Sequence, residues 1–128
     1  MENNRKKEQI LRISGASVQK CMRCGKCSAT CPSYAEMEYH PHEFVYMIEN
    51  GETEKLLRSE SLYKCLTCFA CVERCPRGVE PARVIEALRL EAVRPQGQNH
   101  LTPDQLPAML DEDMPGQLLM TALRKYSK

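Results

Sequence analysis

One stretch of this chain occurs twice. Cys21-Met-Arg-Cys24-Gly-Lys-Cys27-Ser-Ala-Thr-Cys31-Pro32 returns 44 residues on as Cys65-Leu-Thr-Cys68-Phe-Ala-Cys71-Val-Glu-Arg-Cys75-Pro76. Both copies read C-x2-C-x2-C-x3-C-P, and together they use all eight cysteines of the 128 residues. Cysteines three apart on a tightly wound loop reach neighbouring points around one centre. The proline after the fourth blocks helix continuation and turns the chain away. Gly25, beside Cys24, lets the backbone come close and aim its N–H at sulfur. Phe69 and Val72, in the second copy, are suited to excluding water.

Thiolates crowded in this way have three uses: disulfides, zinc and iron–sulfur clusters. A disulfide framework belongs to oxidising compartments, and residues 1–8 are polar with no apolar run behind them of the kind a secretory signal carries. Zinc modules use two separated cysteine pairs, which leaves the third cysteine of each triplet without a role. The run does match the ligand pattern of [4Fe–4S] ferredoxins, in which the fourth cysteine of each run ligates the other cluster. On that pattern Cys21, Cys24, Cys27 and Cys75 hold one cubane, and Cys65, Cys68, Cys71 and Cys31 the other. Two [4Fe–4S] clusters on one small chain point to electron transfer.

A chain of this length suits one domain with a modest core. Aromatic residues make up 5% with no Trp, so that core must rest on aliphatics, Met and the clusters. The chain carries a formal +1. Eight thiolates with two cores of about +2 each bring the oxidised holo-protein to about −3. There is no broad basic face to suggest nucleic acid, and no apolar run near the ~20 residues that cross a bilayer. A soluble, cytoplasmic protein is expected.

Three segments follow from composition: a polar N-terminal segment over 1–15, a two-cluster domain over 16–94 and an extension over 95–128. Residues 1–8 are expected to fray. Ile10, Leu11 and Ile13 form a short apolar face before Gly15, compatible with helix or strand. Between the cysteine runs the reading is helical. Pro41 suits a first helical position, Phe44, Val45 and Ile48 recur at helical spacing, and Gly51 closes the segment. A short helix over Glu52–Arg58 turns Leu56 and Leu57 inward, and Ser61 is placed to cap the turn leading into Cys65. Period-2 alternation is missing, so an all-α fold is expected in place of the β-hairpins of small bacterial ferredoxins. Pro81 opens the clearest helix, to about Arg94, with Val84, Ile85, Leu88 and Ala92 on one face and Arg83, Glu86 and Arg89 largely on another.

From Gln96 onward prolines and acidic residues alternate with apolar ones. Thr102-Pro103 resembles a cap and first turn. Leu106, Met109 and Leu110 are apolar, and Pro115 begins an amphipathic stretch with Leu118, Leu119, Ala122, Leu123 and Tyr126. Two readings stand open: the extension folds back on the core, or it docks onto a partner subunit.

Lys20, Arg23 and Lys26 flank the first run and Lys64, Arg74 and Arg77 the second. Positive charge there favours the reduced cluster or steers an acidic partner. His40, His42 and His100 lack ligand spacing and read as structural or surface residues. Glu43 sits where it complements a helix dipole.

Over residues 18–93 the chain resembles the C subunit of heterodisulfide reductase. The resemblance rests on Cys-x2-Cys-Gly-x-Cys-Ser-x2-Cys-Pro at 21–32, on Pro41 and Asn50-Gly51-Glu52, and on Cys-Leu-Thr-Cys-Phe-Ala-Cys-x3-Cys-Pro-Arg-Gly-Val-Glu-Pro at 65–81. The same helical module resembles the iron–sulfur half of succinate dehydrogenase and fumarate reductase subunits and of glycolate oxidase. The resemblance implies an alpha-helical ferredoxin with two [4Fe–4S] clusters. It further implies a hetero-oligomer in which the chain passes single electrons between a flavin-containing A subunit and a catalytic, cysteine-rich B subunit. The chain has no GxGxxG for a dinucleotide, no adjacent Cys-Cys pair, and no thiol left over to attack a disulfide. It is therefore not expected to be catalytic alone. The alternative is a free-standing ferredoxin that shuttles between enzymes, and a redox-sensing regulator is a more distant one. Metal analysis of anaerobically isolated protein should find about eight iron atoms per chain. Stoichiometric zinc in their place would overturn the cluster reading.

Overall fold

The computed structural model describes residues 1–95 and 103–124. It separates into two compact units, Met1–Gln96 and Gly97–Lys128. Among the described residues the regular elements are all helical.

The first unit is built on α7 (Pro81–Val93), against which α1 (Glu2–Ser14), α3 (Pro41–Glu49), α4 (Thr53–Arg58), α5 (Ser61–Lys64) and α6 (Ala70–Arg74) all pack. Pro81 starts α7, as its fixed φ and missing N–H suit a first position. Val84, Ile85 and Leu88 are fully buried, while Ala92 packs at the edge of the core. Each buried Leu or Ile contributes about 1.5–3 kcal/mol, so this one face anchors the unit. Phe44, Val45 and Ile48 of α3 and Leu56 of α4 meet it as the apolar spacing predicts, with Leu57 partly buried.

Residues 2–8 depart from the expected fraying, because they form the first turns of α1. Polar sequence does not prevent a helix when tertiary contacts anchor it. Ile10 is fully buried, Lys6 pairs with Glu54, Lys7 reaches the Glu49 carbonyl, and Gln9 donates to Glu91 of α7 at 3.2 Å. Gly15 ends the helix in a left-handed conformation (φ 64°), its N–H donating to the Leu11 carbonyl.

Helix α3 is capped from within its own first turn. Glu43 reaches back to accept from the His40 N–H at 2.8 Å, with the His40 ring at the same distance. Burial raises the Glu43 pKa, but these bonds outweigh it and hold the group below the ordinary carboxylate value. Ser61 does not cap α5 as expected. It is the first helical residue, and its hydroxyl accepts from the Tyr39 N–H at 3.0 Å, joining α5 to the segment before α3.

The second unit contains a 3-10 turn (Pro103–Gln105), α8 (Leu106–Met109) and α9 (Gly116–Leu123). Met109, Leu110, Leu118 and Met120 are exposed. Thr102, His100 and Tyr126 lie outside the described residues.

The Thr53 hydroxyl is fully buried with no hydrogen-bond partner among the described residues. Replacing it by a methyl of the same shape removes a desolvation cost. T53V is expected to raise the unfolding free energy measured in urea by about 1 kcal/mol, whereas L88A should lower it by about 2–5 kcal/mol through the cavity it leaves.

Candidate metal centres

The two cysteine runs fold into near-copies of one backbone. Cys21 and Cys65 open them with φ −62°, ψ 123° and φ −64°, ψ 123°. Two residues on, Arg23 and Thr67 are left-handed (φ 56° and 54°), and two further on Gly25 and Phe69 are again left-handed (φ 73° and 61°). Each loop then enters a short helix, α2 (Lys26–Ala29) or α6. A left-handed turn costs Gly little but strains Phe69, Arg23 and Thr67. The strain persists because it winds successive cysteines inward.

Helices α2 and α6 pack against each other, which sets the loops side by side. Two solvent-open cavities lie between the loops and the first turns of α3 and α7. The first is lined by Cys21, Cys24 and Cys27 together with Cys75. The second is lined by Cys65, Cys68 and Cys71 together with Cys31. Each cavity thus collects three cysteines of one run and the fourth of the other. Phe69 lines the second cavity. Arg77 follows Cys75 across and lines the first.

All eight cysteines are free thiols. Among the described residues no three His, Cys, Asp or Glu side chains converge as a single metal ion would require; the thiols face a space instead. Burial pushes the Cys71 thiol up to about 11, against a backbone hydrogen bond from Ala82, and Cys65, Cys27 and Cys68 push it the same way. Burial likewise raises Cys31, against a hydrogen bond from the Ser33 backbone and with reinforcement from Cys65 and Cys68 of the other run. Cys27 is raised by burial and by Cys21 and Cys24, while the side chain and backbone of Ser28 oppose the rise. Backbone donors reach other sulfurs, from Arg23 to Cys21 at 3.4 Å and from Val79 to Cys75 at 3.3 Å. Clustered thiols with backbone N–H groups aimed at sulfur are suited to bind a cationic group as thiolates. Four soft ligands gathered around one cavity from two cysteine runs fit an iron–sulfur cluster.

Two features escaped the sequence reading. Arg89 does not sit on a solvent face. Its guanidinium donates to the Leu62 and Cys65 carbonyls, each at 2.9 Å by one of its nitrogens, and so holds the entry to the second loop against α7. His42 is not a bystander: it lines the first cavity and meets the Ser28 hydroxyl at 2.6 Å. Helical periodicity gives the angle of a side chain but not its reach, and neither residue has ligand spacing.

The chain matches the family described as a 4Fe-4S dicluster domain over residues 17–79. It is similar to the iron–sulfur C subunit of the CoB–CoM heterodisulfide reductase of Methanopyrus kandleri, 37% identical over 73 residues, covering 57% of this chain and 38% of the relative. It is similar to the C subunit of the H2:CoB–CoM heterodisulfide, ferredoxin reductase of Methanothermobacter thermautotrophicus, 32% identical over 87 residues, 68% of this chain and 47% of the relative. A third relative is the C2 subunit of the H2/formate:CoB–CoM heterodisulfide, ferredoxin reductase of Methanococcus maripaludis, 33% identical over 94 residues, 73% of this chain and 50% of the relative. The chain spans about half or less of the length of these relatives.

Arg89→Met should leave two loop carbonyls without their charged donor and cost about 1–3 kcal/mol in urea denaturation. Arg89→Lys, with a single point of donation, should fall between.

Proposed function

We propose that this chain, a homologue of the C subunits of heterodisulfide reductase with a 4Fe-4S dicluster domain, is the electron-transfer subunit of a heterodisulfide-reductase-like complex. In this reading it holds two [4Fe–4S] clusters and relays single electrons between a flavin-containing A subunit and a catalytic, cysteine-rich B subunit. The observation that carries it is the crossed arrangement of thiols around the two cavities. Cys21, Cys24, Cys27 and Cys75 would hold one cluster, and Cys65, Cys68, Cys71 and Cys31 the other. Such a cluster, when bound, supplies a one-electron redox site.

The rest is the work of the chain's own residues. The left-handed pairs at 23 and 25 and at 67 and 69 turn cysteines inward. Pro32 and Pro76 carry the chain across to the opposite cavity. The Arg23 and Val79 amides donate to sulfur and favour its anionic form. Met22 and Leu66, at matching places in the two runs, each line a cavity while remaining exposed, and so offer an apolar edge to a redox partner at each site. The extension over 95–128 is read as a partner-docking segment, supported by the exposed Met109, Leu110, Leu118 and Met120 of the second unit. No helix among the described residues is long and apolar enough to cross a membrane. Thiolate ligation suits a reducing, cytoplasmic setting.

Anaerobic purification of the chain from its native host should bring down a flavin-bearing subunit and a cysteine-rich one, and truncation after residue 94 should weaken that capture. A monodisperse monomer that reduces separate enzymes in solution would favour a free-standing ferredoxin. Cys75→Ser and Cys21→Ser should disturb the same paramagnetic signal, and Cys31→Ser and Cys65→Ser the other; pairing of Cys75 with Cys65 would overturn the crossed ligand sets.

A further inference from the structure

The first cysteine run makes its turn at a residue unsuited to it. Arg23 is left-handed (φ 56°), a conformation that costs a residue with a Cβ and that Gly takes freely. Of the other left-handed positions in the two runs, Gly25 bears no such cost and the Phe69 ring is seated on the second cavity. Thr67 has its hydroxyl 3.5 Å from the Arg89 guanidinium of α7. Arg23 is exposed between the exposed Met22 and Cys24, so burial does not hold it.

Its side chain is met from α3 instead. The Arg23 guanidinium carbon lies 4.6 Å from the centroid of the Tyr46 ring, within the distance at which a cation is attracted to a ring face. Tyr46 is 42% exposed, whereas Phe44, Val45, Met47 and Ile48 around it are buried. Its ring therefore adds little to the core. Helix α3 already packs against the turn Val18–Lys20 before the run and against α2 within it. Tyr46 adds a hold on the stretch between.

The turn at Arg23 lies between two of the first cavity's cysteines. With Arg23 left-handed its N–H donates to Cys21 Sγ at 3.4 Å, and Cys21 and Cys24 line the same cavity. Relaxation of Arg23 to an ordinary backbone would redirect the chain between them and carry the exposed Cys24 away from Cys21. A cation–π contact at an exposed site weights such an equilibrium by a factor of about two to five.

We propose that Tyr46 is a positioning residue for the first metal site: its ring holds the Arg23 guanidinium and thereby keeps the turn between Cys21 and Cys24 in the form that presents both thiols to one cavity. It serves the first loop as Arg89 serves the second, each from a helix that opens with proline beside the cavity. The proposal rests on the reading of both cavities as [4Fe–4S] sites.

The test follows iron loss from the full chain with its iron and sulfide bound. A chelator is added anaerobically, aliquots are reduced at intervals, and the EPR signal assigned to the first site by Cys21→Ser is compared with the other. Tyr46→Leu should speed decay of the first signal about two- to five-fold and leave the second at its wild-type rate. Tyr46→Phe, which keeps the ring face, should behave as wild type, and Arg23→Gln, which removes the cation, should match Tyr46→Leu. Arg23→Gly needs no hold on its backbone, so adding Tyr46→Leu to it should speed nothing further. Should Tyr46→Leu fail to fold, Arg23→Gln decides against Arg23→Gly: faster loss from the first site in the Gln variant supports the hold, and equal or slower loss overturns it. Unchanged decay in Tyr46→Leu, equal acceleration of both signals, a Phe variant as damaged as the Leu variant, or a full Tyr46→Leu effect in the Arg23→Gly background would each overturn it too. Absence of iron from the wild-type chain would sink the cluster reading itself, which is a separate outcome.

Discussion

The contact between α2 and α6 is the constraint on which the rest of the first unit depends. It sets two wound loops side by side, so the residue that leaves one loop is already at the wall of the other. Cys31 lies six residues before Met37 and meets its sulfur at 3.8 Å, and both line the cavity of the second run. Cys75 precedes Val79, whose N–H donates to it, and both line the cavity of the first. The last cysteine of each loop, with residues that follow it, thus forms part of the wall of the cavity of the other loop. A group held by all four thiols of a cavity would close a chain loop of 48 residues from Cys27 to Cys75 in the first and 34 residues from Cys31 to Cys65 in the second, and loop closure of that kind stabilises by restricting the unfolded chain.

Helix α7 is the second requirement, for the cavities need walls that do not move. Its apolar face is buried against the surrounding helices while Pro81, Ala82 and Ile85 turn to the cavities. Arg89 extends this control, reaching past the core to the carbonyls at the mouth of the second loop. One helix thus provides core, cavity wall and loop clamp. It needs no special helical propensity for this, since packing supplies most of helical stability in proteins.

What could be read in the sequence follows from which signals are periodic. The eight cysteines announce themselves by spacing, and the apolar faces of α3 and α7 by recurrence at three and four residues. The helical state of residues 2–8 was not legible, because Lys6, Lys7 and Gln9 hold it through Glu54, Glu49 and Glu91, more than 40 residues distant. Ser28 and His42 were invisible for the same reason. Ser28 is an ordinary residue of a cysteine run and His42 the second residue of a helix, and only the fold brings them to 2.6 Å. Phe69 shows a third kind of gap. Its apolar character was legible, but its left-handed backbone (φ 61°) is revealed only by its match to Gly25.

That match bears on how two similar sites come to differ. Gly25 leaves room beside Cys24, whereas Phe69 at the same backbone position lines the second cavity with a ring. Burial carries the Cys71 thiol to about 11 and also lifts Cys27, yet only Cys27 has a side-chain donor beside it to oppose the rise. Apolar cover raises the cost of a charge, while a donor offsets it. A chain that repeats its backbone and varies these two features gives its two sets of thiols different surroundings from one loop design.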